Sequence, residues 1–284
     1  MLPRTSHPRL PRTRRPYAAP RGAALRTAIA TALVASGVAL VAGCGGPEPV
    51  VPAAPPPAPA TPAPGVSAQV PGQLLDLRDW YLTLPTGTPE DPDTVHQPEL
   101  ENYSGPYFRV DDAGTGVLFT ANAGGATTEG SKYPRSELRE MDGSEKASWS
   151  NTSGTHTMTV RGAVLSLPPA KPEIVVAQIH DAEDDVVLVR VEDDELLVEW
   201  DDGDSKAVLD PAYRLGTPYE VRIIATAGRI DVLLGEERKA SIPLSGSGWY
   251  FKAGAYLQSN VDRGDAPDAV GEAVIEQLRV EHSA

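Results

Sequence analysis

The chain of 284 residues contains one cysteine, Cys44, so no internal disulfide can form and the fold must rest on its core. Phenylalanines number only three, and no apolar run is as long as a membrane-spanning helix. Basic residues are scarce as well, since 25 lysines and arginines stand against 39 acidic residues, a net charge of −14. This balance argues against nucleic acid or an anionic membrane as a partner, whereas a local cluster of cations can still bind an anionic substrate.

The first 43 residues have the composition of a secretory signal. Seven arginines and no acidic residue precede an apolar run over residues 28–42, which ends in Val41-Ala42-Gly43-Cys44. This junction resembles a bacterial lipobox, in which a peptidase cleaves before a cysteine that carries lipid. We therefore expect removal of residues 1–43, lipidation of Cys44 and export to the cell surface or beyond, with membrane contact through this anchor only. The segment Thr13-Arg14-Arg15-Pro16-Tyr17 leaves the general and the twin-arginine export routes both open.

Residues 44–73 read as a tether. They are mostly proline, alanine, valine and glycine, as in Pro55-Pro56-Pro57-Ala58-Pro59. So many prolines exclude a helix or a sheet ladder and predict an extended, semi-rigid segment that holds a domain away from the membrane. The folded domain is predicted for residues 74–284.

The domain itself has short alternating runs broken by glycine, proline, asparagine and aspartate, and no long helical periodicity. This pattern predicts an all-β fold, an antiparallel β-sandwich or jelly roll in a single domain. Acidic pairs such as Asp184-Asp185 and Asp193-Asp194 lack the spacing of a calcium-binding loop, so we interpret them as solvated turn residues. The predicted strands are 155–167, 173–180, 186–191, 195–200, 219–226, 229–234, 250–258 and 273–280.

Three strand-like segments carry polar residues at every second position, which places those residues on one face. The first is Arg135-Ser136-Glu137-Leu138-Arg139 and the second is Gln178-Ile179-His180. In the third, residues 250–258, the other face is apolar, and the polar face carries Tyr250, Lys252, Tyr256 and Gln258. Together the segments predict a sheet with one face in the core and a polar face that forms a binding cleft.

These segments, in this order, resemble the three signature segments of polysaccharide lyase family 7, the alginate lyases. The stretches 76–85 and 127–133 also resemble the start of that family's domain and the approach to its first signature. The resemblance extends from about residue 74 to the C-terminus and implies a β-jelly roll of two sheets. It implies catalytic roles for Arg135, Gln178, His180 and Tyr256, and substrate contacts by Glu137, Arg139, Lys252 and Gln258.

The implied reaction explains these residue types. Alginate is a 1,4-linked polymer of mannuronate and guluronate, and a lyase removes the C5 proton beside the carboxylate. Arg135 and Gln178 would neutralise that carboxylate, because the carbanion otherwise adds a second negative charge. His180 would be the base and Tyr256 the acid that protonates the O4 leaving group, with Tyr256 in both roles on mannuronate. The reaction needs no metal and no organic cofactor, and the expected partner is an anionic polyuronate bound by a monomer.

Three alternatives use the same strands. A non-catalytic carbohydrate-binding sandwich would keep cations and aromatics but would not need His180 together with Tyr256. A glycoside hydrolase needs two carboxylates facing the scissile bond, whereas the three segments offer only Glu137. A lyase of another polyuronate, such as glucuronan, would use the same apparatus and stays open.

The middle residue of the Gln-x-His segment bears on block preference. In the family that the chain resembles, isoleucine there goes with guluronate-containing substrate and valine with mannuronate, so Ile179 predicts cleavage of polyguluronate or mixed blocks. By alternation Ile179 points away from the sugar, so it would act by shifting the strand that carries Gln178 and His180.

Overall fold

The computed structural model describes residues 68–284. The signal segment, Cys44 and most of the tether lie outside the described residues. Within residues 68–284 the chain forms seventeen β-strands and three short 3₁₀ turns, and no helix there is long and apolar enough to cross a membrane.

The strands are numbered here in chain order. They are β1 Trp80–Thr88, β2 Asp91–Val95, β3 Phe108–Val110, β4 Val117–Asn122, β5 Arg135–Asp142, β6 Glu145–Lys146, β7 Trp149–Ser150, β8 Thr155–Ser166, β9 Glu173–His180, β10 Asp185–Glu192, β11 Glu195–Trp200, β12 Ser205–Asp210, β13 Tyr219–Thr226, β14 Arg229–Leu234, β15 Glu237–Ile242, β16 Ser247–Leu257 and β17 Val270–Ser283. The 3₁₀ turns are Pro71–Gln73, Leu100–Asn102 and Val261–Arg263.

The strands form two antiparallel sheets. The larger has the order β12-β11-β10-β9-β16-β5-β1-β2, with β6 beside β5 and β7 beside β16. The smaller has the order β15-β14-β13-β8-β17-β4-β3. This arrangement confirms the all-β sandwich, or jelly roll, that the alternating runs predicted.

Alternation of side chains builds the core between the sheets. On β16, Phe251, Ala253, Ala255 and Leu257 are fully buried, as the sequence predicted. Burying a large apolar side chain stabilises a fold by about 1.5–3 kcal/mol. Because Cys44 cannot form an internal disulfide, this apolar core is the main source of stability.

A tight turn at residues 71–73 lies near the start of the described residues. The N–H groups of Leu74 and Leu75 donate to the carbonyl oxygen of Pro71 at 2.9 and 3.0 Å, and Pro71 is buried. A Cβ on Gly72 would lie 2.2 Å from the carbonyl oxygen of Glu101, so glycine is needed for this close approach. The packed part of the chain thus includes residue 71.

Candidate active site

The polar residues of the three segments lie on one face of the larger sheet, where β5, β16 and β9 are neighbours. Lys252 of β16 pairs with Arg139 of β5 on one side and with Gln178 of β9 on the other. Residues directly opposite in an antiparallel ladder share a face. This face is termed the cleft below, and it consists of Arg135, Glu137, Arg139, Gln178, His180, Tyr250, Lys252 and Tyr256.

Glu137 is the centre of the cleft. Its Oε2 atom lies 2.6 Å from Nζ of Lys252 and 3.2 Å from Nη1 of Arg135, and its Oε1 accepts from Nε2 of Gln178. Complete burial alone would raise the pKa of this carboxyl. The charges of Lys252 and Arg135 outweigh burial and hold the pKa of Glu137 below its ordinary value. Glu137 therefore stays ionised and orients three side chains around it.

Arg135 and Tyr256 form a stacked pair across the ladder between β5 and β16. Cζ of Arg135 lies 3.7 Å from the centroid of the Tyr256 ring. Nη2 of Arg135 donates to Oγ of Ser131 at 2.9 Å, and the same Oγ lies 3.1 Å from the hydroxyl of Tyr256. Sequence reasoning did not single out Ser131, although its place in the 127–133 segment, four residues before Arg135, was a usable signal.

His180 is the last residue of β9, and its imidazole ring has a defined tautomer. Its Nδ1 lies 2.6 Å from the carbonyl oxygen of Asp181, which can only accept, so the neutral ring carries its proton on Nδ1 and a lone pair on Nε2. Burial, and next the charge of Lys252, lower the pKa of His180 below its ordinary value. At neutral pH His180 is therefore an uncharged imidazole whose Nε2 can accept a proton.

An aromatic wall supports the side chains at one end of the cleft. The His180 ring stacks on Tyr250 with centroids 5.4 Å apart, and the Tyr250 hydroxyl lies 3.1 Å from Nδ1 of His180. Cζ of Arg139 lies 3.7 Å from the centroid of Tyr250 and 5.9 Å from that of Tyr81. The sequence placed Tyr250 on the polar face without a role, and it gave no sign of Tyr81, whose position depends on pairing between β1 and β5.

The cleft is a cationic patch in an acidic chain. Arg135, Arg139 and Lys252 surround the single carboxylate of Glu137, so two positive charges are left over when all four are ionised. Burial, and next the charge of Arg135, lower the pKa of Lys252 to about 8, although Glu137 favours the charged form. Such a patch attracts a polyanion in spite of the net charge of the whole chain.

The cleft is less open than the alternation of the sequence suggested. Gln178, Arg135 and Lys252 are 0%, 5% and 8% exposed, so neighbouring side chains cover most of the cationic cluster. Two of its buried atoms, Nε of Arg135 and Oε1 of Gln178, have no hydrogen-bond partner within residues 68–284. Unpaired buried polar atoms are rare in native proteins, so these two require an explanation at this site.

Gln258 directly follows β16. Its Nε2 donates to the carbonyl oxygen of Leu257 at 3.1 Å, and among the described residues it is not hydrogen-bonded to the Glu137 network. In the same part of the chain, no group of three or more His, Cys, Asp or Glu side chains is arranged to hold a metal ion. The acidic pair Asp193-Asp194 lies in a turn between β10 and β11.

Comparison with known proteins gives a consistent result. A family model described as alginate lyase matches residues 75–282. Alginate lyase AlgAT5 from polysaccharide lyase family 7 is 49% identical over 76% of this chain and 100% of its own, with a TM-score of 0.74. The alginate lyase from Corynebacterium sp. is 42% identical with the same coverage and TM-score. A variant of family 7 alginate lyase A1-II′ in complex with product (GGG) is 31% identical over 76% of this chain and 100% of its own, with a TM-score of 0.67. No curated protein matches the chain.

Proposed function

Because this chain belongs to polysaccharide lyase family 7, the alginate lyases, we propose that its cleft cuts alginate by β-elimination, with four catalytic residues. They are Arg135, Gln178, His180 and Tyr256. The observation that carries this assignment is a neutral imidazole and a phenol hydroxyl on the same face as a buried cationic cluster. An elimination beside a carboxylate requires a proton acceptor, a proton donor and neutralisation of the carboxylate charge.

Neutralisation of the substrate carboxylate is assigned to Arg135 and Gln178. Glu137 holds both side chains in place, through Nη1 of Arg135 and Nε2 of Gln178, so their remaining donors are preorganised when the uronate arrives. Lys252 and Arg139 lie beside them in the ladder and are assigned to substrate binding. Glu137 supports this binding by orienting the cations, and Gln258 is assigned to the edge of the substrate site.

Proton transfer is assigned to His180 and Tyr256. Nε2 of His180 takes the C5 proton, the released electron pair forms the C4–C5 double bond, the C4–O4 bond breaks, and Tyr256 gives its hydroxyl proton to O4. Mannuronate and guluronate are C5 epimers, so their C5 protons point to opposite faces of the sugar ring. On mannuronate Tyr256 therefore serves as both base and acid.

The variant His180→Ala tests this assignment. On polyguluronate the initial rate of double-bond formation should fall about a hundredfold, the usual scale for a positioned base, while polymannuronate should be less affected. Ultraviolet absorbance of the unsaturated product measures both rates, and circular dichroism checks the fold. An unchanged rate on polyguluronate would exclude His180 as the base.

We further propose a preference for guluronate-containing or mixed blocks. Ile179 lies between Gln178 and His180, is fully buried, and pairs with Phe251 of β16, so its size sets where β9 rests against the core. Deleting one buried methylene costs about 1 kcal/mol, and a small displacement of a catalytic group costs more in rate. Initial rates on the two homopolymers at equal uronate concentration test the preference. The variant Ile179→Val should lower the guluronate-to-mannuronate ratio, and a wild-type excess on polymannuronate would reject the proposal.

We also propose that the protein is exported as a lipoprotein anchored at Cys44 and works as a monomer. The support is the lipobox-like junction after a basic and apolar leader. Mass spectrometry of the membrane fraction of the native host should find a diacylglyceryl-modified N-terminus at Cys44. A soluble mature protein cleaved elsewhere would contradict the anchor, and light scattering of the purified protein tests the monomer.

A further inference from the structure

A second polar cluster lies behind the cleft, on the core side of β5. Glu140 is 3% exposed, and its Oε1 lies 2.6 Å from Nε2 of His282 in β17. Nδ1 of His282 lies 2.7 Å from Nδ1 of His156 in β8. Nε2 of His156 lies 3.1 Å from the carbonyl oxygen of Ser150 and 3.0 Å from that of Ser153. The three side chains thus form a continuous chain of hydrogen bonds, termed the triad below.

The hydrogen bonds of the triad determine how many protons it holds. It needs one proton between Glu140 and His282, one between the two histidines, and one from His156 to the backbone carbonyls, which can only accept. A carboxylate and two neutral imidazoles supply two. The hydrogen-bonded triad therefore holds one additional proton, which balances the buried charge of Glu140. Without that proton, two nitrogen lone pairs 2.7 Å apart would face each other.

Glu140 also connects β5 to β16. The ladder between these strands ends at the pair Arg139 and Lys252, and beyond it Oε2 of Glu140 accepts the backbone N–H of Phe251 at 2.7 Å. The same oxygen accepts Nε1–H of Trp149 at 3.0 Å. A side-chain carboxylate thus takes the place of a backbone carbonyl, directly behind the substrate-binding side chains.

We propose that Glu140, His282 and His156 share one proton and act as positioning residues for β16. By holding the N–H of Phe251, Glu140 fixes the strand that carries both Lys252 and the proposed acid Tyr256. Loss of the shared proton breaks the link between the histidines and loosens this support. The effect on catalysis rests on the proposed function, whereas the proton sharing does not depend on it.

The surroundings allow the proton to exchange with solvent. A cavity of about 470 Å³ adjoins the triad, and the side chain of His282 is 39% exposed. Trp149 stacks on His156 with centroids 4.4 Å apart and closes the other side. The other charged groups that line the cavity are Asp76, Asp79, Asp142 and Arg279. The three carboxylates favour retention of the proton and Arg279 opposes it; Asp76 is paired with Arg78, and Arg279 lies 2.8 Å from Glu281.

The sign of the pH dependence follows from the proton count. The folded triad binds one proton more than a carboxylate and two neutral histidines, so folding is favoured while that proton is bound. Stability is then lost as the pH rises through the range in which the triad releases it.

Two substitutions of His282 separate proton sharing from positioning. The variant His282→Gln retains an amide donor for Glu140 but cannot share the proton with His156. The variant His282→Ala removes both functions. Since His282 is partly exposed near the end of β17, both variants should fold. Arg161→Ala, at an exposed ion pair with Glu276 that does not line the cavity, is the matched control.

Thermal unfolding of the full chain without substrate tests proton sharing. As the pH rises, the melting midpoint of the wild type should fall relative to that of His282→Gln, and Arg161→Ala should follow the wild type. If the melting midpoints of the wild type and of His282→Gln changed in parallel with pH, the proposal of a shared proton would be overturned.

Turnover of alginate at neutral pH tests positioning. His282→Ala should lower kcat about tenfold with a smaller change in KM, and His282→Gln should recover most of kcat, because its amide again holds Glu140. A wild-type kcat in His282→Ala would overturn the positioning role. If the wild type itself failed to cut alginate, the proposed function would fail while the unfolding experiment still decided the proton sharing.

Discussion

At the scale of single residues, the chemistry of the cleft depends on which groups carry protons at working pH. His180 must be neutral to act as a base, and Lys252 must be charged to bind a carboxylate. The same burial that keeps His180 neutral also weakens the hold of Lys252 on its proton, since both groups lose hydration. The useful pH range of the enzyme is the interval between these two titrations.

The acid side of this interval is set by His180. Because burial and the charge of Lys252 lower the pKa of His180, the acid limb of kcat/KM on polyguluronate should have its midpoint below pH 6.5, the ordinary value for histidine. The variant Lys252→Met should move that midpoint upward by removing a nearby positive charge. A wild-type midpoint above 6.5 would contradict the dominance of burial and of the Lys252 charge at His180.

The alkaline side is set by Lys252. Its pKa of about 8 means that the free enzyme loses this charge as the pH rises through that value, and a polyanion binds the protonated form. KM for alginate should therefore rise above pH 8, by up to about tenfold for each further pH unit. Steady-state kinetics on the wild type and on Lys252→Arg, which keeps its charge, provide the comparison. Equal alkaline profiles for the two proteins would exclude this role of Lys252.

At the scale of strands, the sequence was informative where a short apolar or β-branched run lies between clear turns. The predicted bounds of β9, β11, β13 and β14 agree with the structure for this reason, although only β13 alternates strictly between buried and half-buried residues. Prediction missed the edge strands β2, β3, β12 and β15, whose residues are more exposed and carry a weaker pattern. It also missed the interior strands β1 and β4, which are buried at most positions and therefore do not alternate, and the two-residue strands β6 and β7. The pairing of β16 with both β5 and β9 depends on contacts distant in sequence, which periodicity does not encode.

The same limit applied to the cleft. Alternation placed Arg135, Glu137 and Lys252 on polar faces, and the family resemblance gave them roles. Neither could supply the partners that come from other parts of the chain, such as Tyr81 beside Arg139. The tautomer of His180 was also out of reach, because a backbone carbonyl determines it.

One glycine controls how closely β16 approaches β5. Gly254 has a φ of 151°, and a Cβ there would lie 2.4 Å from the carbonyl oxygen of Ser136 and 2.8 Å from Cα of Glu137. Gly254→Ala should therefore lower the free energy of unfolding by more than about 1 kcal/mol and also reduce kcat, since β16 must move away from Glu137. Gly235→Ala is the matched control, because Gly235 also has a positive φ, 57°, but meets nothing within 4 Å.

The two variants are compared by chemical denaturation and by turnover of alginate. The control should lose some stability through its backbone conformation and keep wild-type kcat. Equal losses of activity in both variants would show that the close approach of the two strands is not important for the cleft.

At the scale of the whole molecule, an acidic chain carries its cations where an anionic polymer reacts. The formal net charge is −14, yet Arg135, Arg139 and Lys252 converge on one face. Only the sheet brings them together, since they come from two strands more than a hundred residues apart in sequence. The negative charge of the rest of the chain favours solubility and repels polyanions. Electrostatic attraction of an anionic polymer is therefore local to the cleft.

The rate of unsaturated product formation by Tyr256→Phe tests the central claim most directly. The substitution removes one hydroxyl and leaves the aromatic ring against which Arg135 stacks, so folding and substrate binding should be retained. We expect kcat on alginate, followed by ultraviolet absorbance of the new C4–C5 double bond, to fall at least about a hundredfold with KM little changed. A Tyr256→Phe variant that forms unsaturated ends at the wild-type rate would contradict the assignment of the acid, and with it the account of the cleft.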